Sequence, residues 1–290
     1  MEFSGCFGTN KIKLNFCIWL FIYNSQENSF QLFGSKCHEK YFFLFSTIFS
    51  THTYMIGKFF AKKLITQNRK LYDKIARQFA DTRTFLWDDL KPLADYVQNG
   101  ERVLDVACGS GRLYQLFEKK QVRYTGVDYS KELIKIAKEE YPKAQFFVRD
   151  MKKLKFPEKS FDTIFCIAAF QHIPTEEFRM QTLLEMRKVL KPGGKIIFLN
   201  WNLFSTWAAD KYKKFAFESQ EFMIPWRGAG GEEIGKRYYH GFLPEELEHL
   251  FGEAGFSLED QYYVKKGERS TKEKAENIIS IATLPRGNEK

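Results

Sequence analysis

The sequence predicts an α/β protein: a doubly wound, mostly parallel sheet of seven strands whose last two form an antiparallel edge hairpin. Three observations carry this. From residue 102 onward, strand-like and helix-like runs alternate, which is the pattern of a parallel sheet covered on both faces. The strand runs are continuously apolar rather than alternating, as buried parallel strands are. A Gly-rich turn follows the first of them, where open α/β sheets bind ligands.

Each element has a local reason. Residues 60–98 read as helical, with Leu64, Leu71, Ile75 and Phe79 near one face. Arg102–Ala107 is the first strand, Arg112–Lys119 a helix and Val122–Asp128 the second strand. Ser130 caps a helix to about Tyr141, with Leu133, Ile134, Ala137 and Tyr141 at core spacing. Ala144–Val148 and Phe161–Ile167 are the third and fourth strands. Thr175 caps a helix to Leu190, with Glu176 and Glu177 at its positive end. Lys191-Pro192-Gly193-Gly194 stops that helix, because Pro cannot continue it and Gly tolerates the turn. Lys195–Asn200 is the fifth strand. Residues 201–240 are polar, aromatic and Gly-rich, and read as an insertion. Pro244–Ala254 is a short helix, and Phe256–Val264 and Asn277–Thr283 are the closing strands.

The chain has 290 residues, 44% apolar and 28% charged, an ordinary globular composition. Its net charge of +9 fits a polyanionic partner such as RNA, although many enzymes are basic without one. None of the five cysteines forms a CxxC pair or joins a histidine cluster, so no metal site is expected. Cys108 and Cys166 fall in predicted strands or at their tips, where reduced thiols suit a cytoplasmic protein.

Residues 1–54 differ from the rest. They are crowded with Phe, Asn, Ser, Thr and Lys, contain no Pro or Arg, and show no sustained period. Their apolar runs, Phe16–Tyr23 and Tyr41–Phe49, are far shorter than the ~20 residues that span a bilayer, so no membrane anchor is expected. This composition matches untranslated AT-rich DNA read as protein. The expectation is a disordered or mis-annotated extension over 1–54, a native start at Met55, and one domain over 55–290 with a substrate-side insertion at about 201–240.

The chemistry concentrates at strand ends. The first strand ends in Asp105-Val106-Ala107-Cys108-Gly109-Ser110-Gly111. Gly109 and Gly111 let the backbone turn tightly and approach a ligand. The spacing is not GxGxxG, so it is not a pyrophosphate clamp, and Asp105 disfavours phosphate while favouring a cationic ligand end. The second strand ends in Asp128, placed to bind ribose hydroxyls. The third leads into Arg149-Asp150-Met151, where Asp150 can accept from an adenine amino group and Met151 pack on the ring. Singly, these are a turn, a helix cap and a loop residue. As an ordered set at three successive strand ends they read as a site.

Val103–Gly111, Asp128, Asp150 and Leu190–Gly194 resemble the class I S-adenosylmethionine-dependent methyltransferases, over about residues 70–283. The resemblance implies their Rossmann-like fold and S-adenosyl-L-methionine as cofactor. It places Asp105, Gly109 and Gly111 on the methionine part, Asp128 on the ribose, and Asp150 with Met151 on the adenine. Tyr72, Cys108, Tyr129 and Ile167 are further expected cofactor contacts. One departure is Ala107, where that family usually has Gly; a slightly narrowed pocket is expected.

A second resemblance lies outside that motif. Tyr72-Asp73-Lys74-Ile75-Ala76, Asp81-Thr82-Arg83, Trp87, Ile167-Ala168-Ala169-Phe170-Gln171-His172, Trp201, Ile224-Pro225-Trp226 and Arg237-Tyr238-Tyr239-His240 resemble the eukaryotic tRNA wobble-uridine methyltransferases. That family methylates a carboxymethyl group on uridine 34, making an ester. The resemblance implies a tRNA partner and a small activator protein. A carboxylate is ionised at neutral pH and needs no general base. Cationic donors should orient it, and Arg83, Arg237 and His172 are the candidates. Trp201, Trp226, Tyr239 and His240 are expected on the substrate, with aromatic rings stacking on a splayed uracil.

Other readings stand beside these. His172 could cap the next helix, Trp201 could be core, Trp226 a lid anchor, and Arg237–His240 a strand edge. A small-molecule methyltransferase of the same superfamily is the main functional alternative, since fold and cofactor do not determine substrate. A non-catalytic partner protein is another, against which the intact acidic and glycine positions argue.

Overall fold

The computed structural model describes residues 21–24, 29–32 and 39–287, with side chains from residue 57. It divides into two compact units, Met1–Met55 and Ile56–Lys290. In the first, β1 (Phe21–Asn24) pairs antiparallel with β2 (Ser29–Leu32). The expectations for residues 1–54, including the run Phe16–Tyr23, fall largely outside the described residues. Among the described residues no helix is long and apolar enough to cross a membrane.

A long helix, α1 (Glu39–Asp81), leads into the sheet-bearing unit. There follow β3 (Arg102–Val106), β4 (Arg123–Asp128), α2 (Lys131–Glu140), β5 (Gln145–Val148) and β6 (Phe161–Ile167). Next come α3 (Glu176–Val189), β7 (Leu190–Trp201), α4 (Thr206–Tyr212), β8 (Glu221–Arg227) and β9 (Glu233–His240). The chain closes with α5 (Pro244–Glu253), β10 (Ser257–Lys265), β11 (Glu268–Arg269) and β12 (Asn277–Thr283).

The main sheet runs β11-β10-β12-β7-β6-β3-β4-β5. Strands β3 to β7 are mutually parallel; β12 runs antiparallel to β7 and β10 antiparallel to β12. The seven expected strands are present, and the two-residue β11 extends the hairpin edge. The chain moves outward from β3 to β5, then returns to lay β6 on the other side of β3. That reversal opens the ligand crevice of a doubly wound sheet.

Both faces are buried, which is why the strands read as unbroken apolar runs. Along β7, Ile196 and Phe198 join the core under α3 and α5. Ile197 and Leu199 join the opposite core, with Leu113, Ile134 and Leu93. The caps form as expected: Ser130 accepts from the Leu133 N–H and Thr175 from the Phe178 N–H.

Three local expectations are corrected. Residues 60–98 are not one helix: α1 ends at Asp81, and a separate 3-10 helix covers Asp88–Tyr96. Pro92 lies inside that second piece, where it lacks an N–H and crowds the preceding turn. The segment after the glycine turn is a 3-10 helix, Arg112–Phe117, the geometry common in short connectors. Lys191–Gly194 does not stand between helix and strand but bulges out of β7, because β6 steps from Phe161 to Thr163 while β7 steps from Leu190 to Lys195. The stretch 201–240 is ordered as α4 and the hairpin β8–β9.

Candidate active site

One crevice lies at the carboxyl ends of β3, β4, β5 and β6, walled on its other side by α1 and β9. The turn after β3 forms its floor. Ala107, Gly109 and Gly111 all have left-handed backbones, at φ of 60°, 58° and 84°. Glycine is favoured at Gly111 on two counts: its φ is left-handed, and a Cβ there would meet the Phe146 ring at 2.9 Å and the Tyr141 ring at 3.0 Å. At Ala107 the left-handed φ costs an L-residue roughly 1–2 kcal/mol. The departure from glycine is therefore a matter of backbone strain more than of pocket width. Ala168, after β6, is held at φ 52° beside it.

Carboxylates stand at three strand ends. Asp128 ties two loops together: its Oδ2 accepts from the Gly109 N–H at 2.9 Å and its Oδ1 from the Ser130 N–H at 2.8 Å. Burial pushes its pKa up to about 6 despite those bonds. Asp105 is only 2% exposed and accepts from the Tyr124 hydroxyl at 2.5 Å. Burial pushes its pKa up to about 7; the Tyr124 bond opposes this and the nearby Asp128 adds to it. Asp150 accepts from the Lys152 N–H at 2.9 Å, with the Lys152 ammonium 3.6 Å away. Cys108 is a neutral thiol, pushed well up by burial and by Asp105. Met151, Ile167 and Tyr129 complete this wall, the last with the Arg69 guanidinium 5.1 Å over its ring.

The opposite wall follows from strand alternation. Arg237 and Tyr239 of β9 turn into the crevice. Tyr238 and His240 turn the other way. His240 is therefore not among the crevice residues: its Nδ1 meets Glu221 at 2.9 Å and its Nε2 meets Glu246 at 2.8 Å. Tyr238 donates to the same Glu221, and Arg179 lies 3.8 Å from Glu246. The expected substrate contact at His240 is a buried polar brace instead.

His172 also departs from expectation. Its Nδ1 donates to the Tyr238 carbonyl at 2.7 Å, and its Nε2 accepts from the Tyr72 hydroxyl at 2.9 Å. Burial drives its pKa down to about 3, so the ring is neutral. It is no cationic donor; both nitrogens are spent on positioning. Trp226 lies outside the crevice lining as well, its ring 5.0 Å from the Arg237 guanidinium. It backs Arg237 rather than offering a free stacking face.

Arg237 is 5% exposed and sits among the rings of Tyr72, Trp226 and Tyr239, 5.0–5.7 Å from their centres. Its Nη1 donates to the Tyr72 hydroxyl at 3.2 Å and its buried Nε has no partner. Among the described residues no carboxylate pairs with it. Arg83 is half-buried and hydrogen-bonded to Thr82, and burial followed by the Arg237 charge lowers its pKa. Trp201 stacks on Tyr239, centroids 5.2 Å apart at 24°, and both line the crevice.

Three contributors escaped the sequence reading. Asn68 exchanges two hydrogen bonds with the Tyr238 backbone, fixing β9 against α1. Tyr124 holds Asp105. Arg112 lies 4.3 Å over the Trp87 ring and lines the crevice. Asn68 is one helical turn before Tyr72, so the i, i+4 rule could have found it. Among the described residues no group of His, Cys, Asp and Glu is placed to hold a metal ion.

The comparisons with known proteins agree with this geometry. A family model described as "Methyltransferase domain" matches residues 104–198, from β3 into β7. A putative methyltransferase of Encephalitozoon cuniculi is 31% identical over 194 residues, covering 66% of this chain and 87% of that one. The tRNA (carboxymethyluridine(34)-5-O)-methyltransferase of Schizosaccharomyces pombe is 28% identical over 215 residues, 67% of this chain and 90% of that one. The chain spans only 33% of the length of the mammalian proteins called probable tRNA methyltransferase 9B, which it also matches. Among solved structures, a Haloferax volcanii putative methyltransferase in complex with the Trm112 methyltransferase activator has the same fold. It gives a TM-score of 0.54 at 20% identity, over 74% of this chain and 97% of that one. With a relative matched along most of its length, and the strand-end acids and glycines in place, the chain belongs to the S-adenosylmethionine-dependent methyltransferase family.

Proposed function

We propose that this chain methylates a carboxylate, the carboxymethyl group of a modified wobble uridine in tRNA, to give its methyl ester. The observation that carries this is Arg237. A buried guanidinium without a counter-ion is costly, and an incoming anion removes that cost. Arg binds a carboxylate through paired N–H groups, and Arg237 keeps a buried Nε unpartnered.

The crevice fits the cofactor on its donor set. Three carboxylates at adjacent strand ends suit a ligand with a cationic end and sugar hydroxyls, and would repel phosphate. Asp105, Gly109 and Gly111 would hold the methionine part, with Cys108 and Tyr72 beside it. Asp128 would hold the ribose, flanked by Tyr129. Asp150, Met151 and Ile167 would enclose the adenine. S-adenosylmethionine supplies an electrophilic methyl group on a sulfonium.

The protein's own part is positioning. Arg237 and Arg83 orient the acceptor carboxylate, which is already ionised and needs no base. His172 fixes Tyr72, and Tyr72 fixes Arg237. Tyr239 and Trp201, stacked on each other, would form the aromatic wall against which the uracil packs. The enclosed walls exclude water, which raises the reactivity of the carboxylate. The basic charge of the chain favours a nucleic acid.

A small activator protein is the partner we assign, by analogy with the Haloferax complex. Its seat would be the outer edge of β5, which among the described residues pairs only with β4 and exposes Phe147 and Val148. Phe147→Asp with Val148→Asp should abolish binding of a Trm112-type protein while leaving cofactor affinity unchanged.

The central test is methyl transfer from labelled cofactor to tRNA carrying carboxymethyluridine, read by nucleoside mass spectrometry. Ester formation supports the reading. No transfer to that tRNA, with good transfer to a small carboxylic acid, overturns it in favour of a small-molecule methyltransferase.

A further inference from the structure

A second cavity of about 500 Å³ adjoins the crevice and shares Arg83, Trp87 and Trp201 with it. That size is within the range of small-molecule sites. We infer that this cavity receives the nucleotide next to the methylated one, stacking its base on Trp207 and setting its phosphate by Lys211. The inference rests on the RNA reading above.

An aromatic row joins the two spaces. Tyr239 stacks on Trp201 at 5.2 Å, and Trp201 stacks on Tyr212 at 6.2 Å and 21°. Tyr212 meets Trp207 edge-on at 5.7 Å. The row therefore runs from a buried ring in the crevice to Trp207, which is 54% exposed at the far wall. A large exposed ring beside a cavity is the platform that single-stranded nucleic acids use, since every base has a stacking face.

The charges agree. The Lys211 ammonium lies 4.6 Å over the Trp207 ring and 5.3 Å over Tyr212, so cation and stacking face occur together. The carboxylates of the cavity are already engaged. Asp89 accepts from the Gly267 N–H at 2.6 Å and from the Asn277 amide at 2.7 Å. Asp88 pairs with Lys91 at 2.6 Å and Glu276 with Lys265 at 3.4 Å. They oppose a phosphate less than free carboxylates would. Arg83 and Lys266 add positive charge to the lining.

The test compares two acceptors, an anticodon stem-loop carrying carboxymethyluridine and the free carboxymethyluridine nucleoside. Trp207→Ala should raise the KM for the stem-loop roughly tenfold, the scale of one lost base stack. Transfer to the nucleoside should be unchanged. Lys211→Ala should raise the stem-loop KM and lower its salt dependence by about one phosphate contact. An unchanged stem-loop KM in both variants overturns the inference while the RNA reading stands. Equal loss on stem-loop and nucleoside also overturns it, since the residues would then act on the crevice itself. Absence of transfer to any RNA by the wild type defeats the RNA reading, and this inference with it.

Discussion

Arg237 and His172 never touch, yet one hydroxyl links them. Tyr72 donates to the His172 Nε2 at 2.9 Å and accepts from the Arg237 Nη1 at 3.2 Å. The buried cation is thus aimed by a neutral imidazole through a phenol.

Arg237→Lys should therefore not rescue function. A lysine loses the paired N–H geometry that matches a carboxylate. A charge-assisted hydrogen bond is worth about 1.5–3 kcal/mol, so transfer should fall about 10- to 150-fold. Cofactor affinity, measured by calorimetry, should stay within about twofold. Tyr72→Phe removes a hydroxyl that makes two hydrogen bonds, so transfer should fall about 5- to 30-fold.

His172 should act through position rather than through its proton. With a pKa near 3 it does not titrate between pH 6 and 8. Its pKa is about 6.5 when unfolded. Below that pH the unfolded chain takes up a proton that the folded chain refuses, so this group makes stability fall as pH drops from 6.5 toward 3. His172→Gln should lose less stability over that range, by denaturant titration at several pH values. His240, whose two glutamates raise its pKa against the effect of burial, is common to both proteins and cancels.

Cofactor affinity should weaken in mild acid. Asp105 titrates near 7 in the free protein, and a cationic ligand favours its ionised form. As pH falls below 7 each bound cofactor must displace a proton, so Kd should rise by up to about tenfold per pH unit. Asp105→Asn should bind far more weakly and lose that first slope, leaving the Asp128 proton near pH 6. Tyr124→Phe removes the bond that favours the ionised carboxylate, and should shift the slope to higher pH.

Ala107→Gly should stabilise the protein or leave it unchanged. Relief of the left-handed strain, roughly 1–2 kcal/mol, is partly offset by the ~0.4–1 kcal/mol that glycine's unfolded freedom costs. Thermal unfolding should rise by no more than a few degrees, with cofactor affinity within about twofold. Asp105→Ala should abolish that affinity. The reverse ranking would show that the turn after β3 does not hold the cofactor.

Much of the crevice was legible before the fold was seen. Asp105, Gly109, Gly111, Asp128 and Asp150 are separated by strand-and-helix units whose order alone places them at one end of a sheet. The limits lie where a role depends on facing. Arg237 through His240 are four consecutive residues of one strand, and sequence treats them alike. Whether Arg237 or His240 faces the crevice depends on register against β8, which no local pattern sets. Trp226 sits at the rear of Arg237 for the same reason.

The sequence by itself determined the alternation of strands and helices, the glycine turn and the acidic strand ends, because each arises from neighbours a few residues apart. Tertiary structure alone decided that His172 is neutral and Arg237 is charged without a counter-ion. Those states follow from desolvation and from partners far away in the chain: Tyr72 lies 100 residues from His172 and 165 from Arg237. Burial and distant hydrogen bonds, not residue type, set which groups in this crevice carry charge.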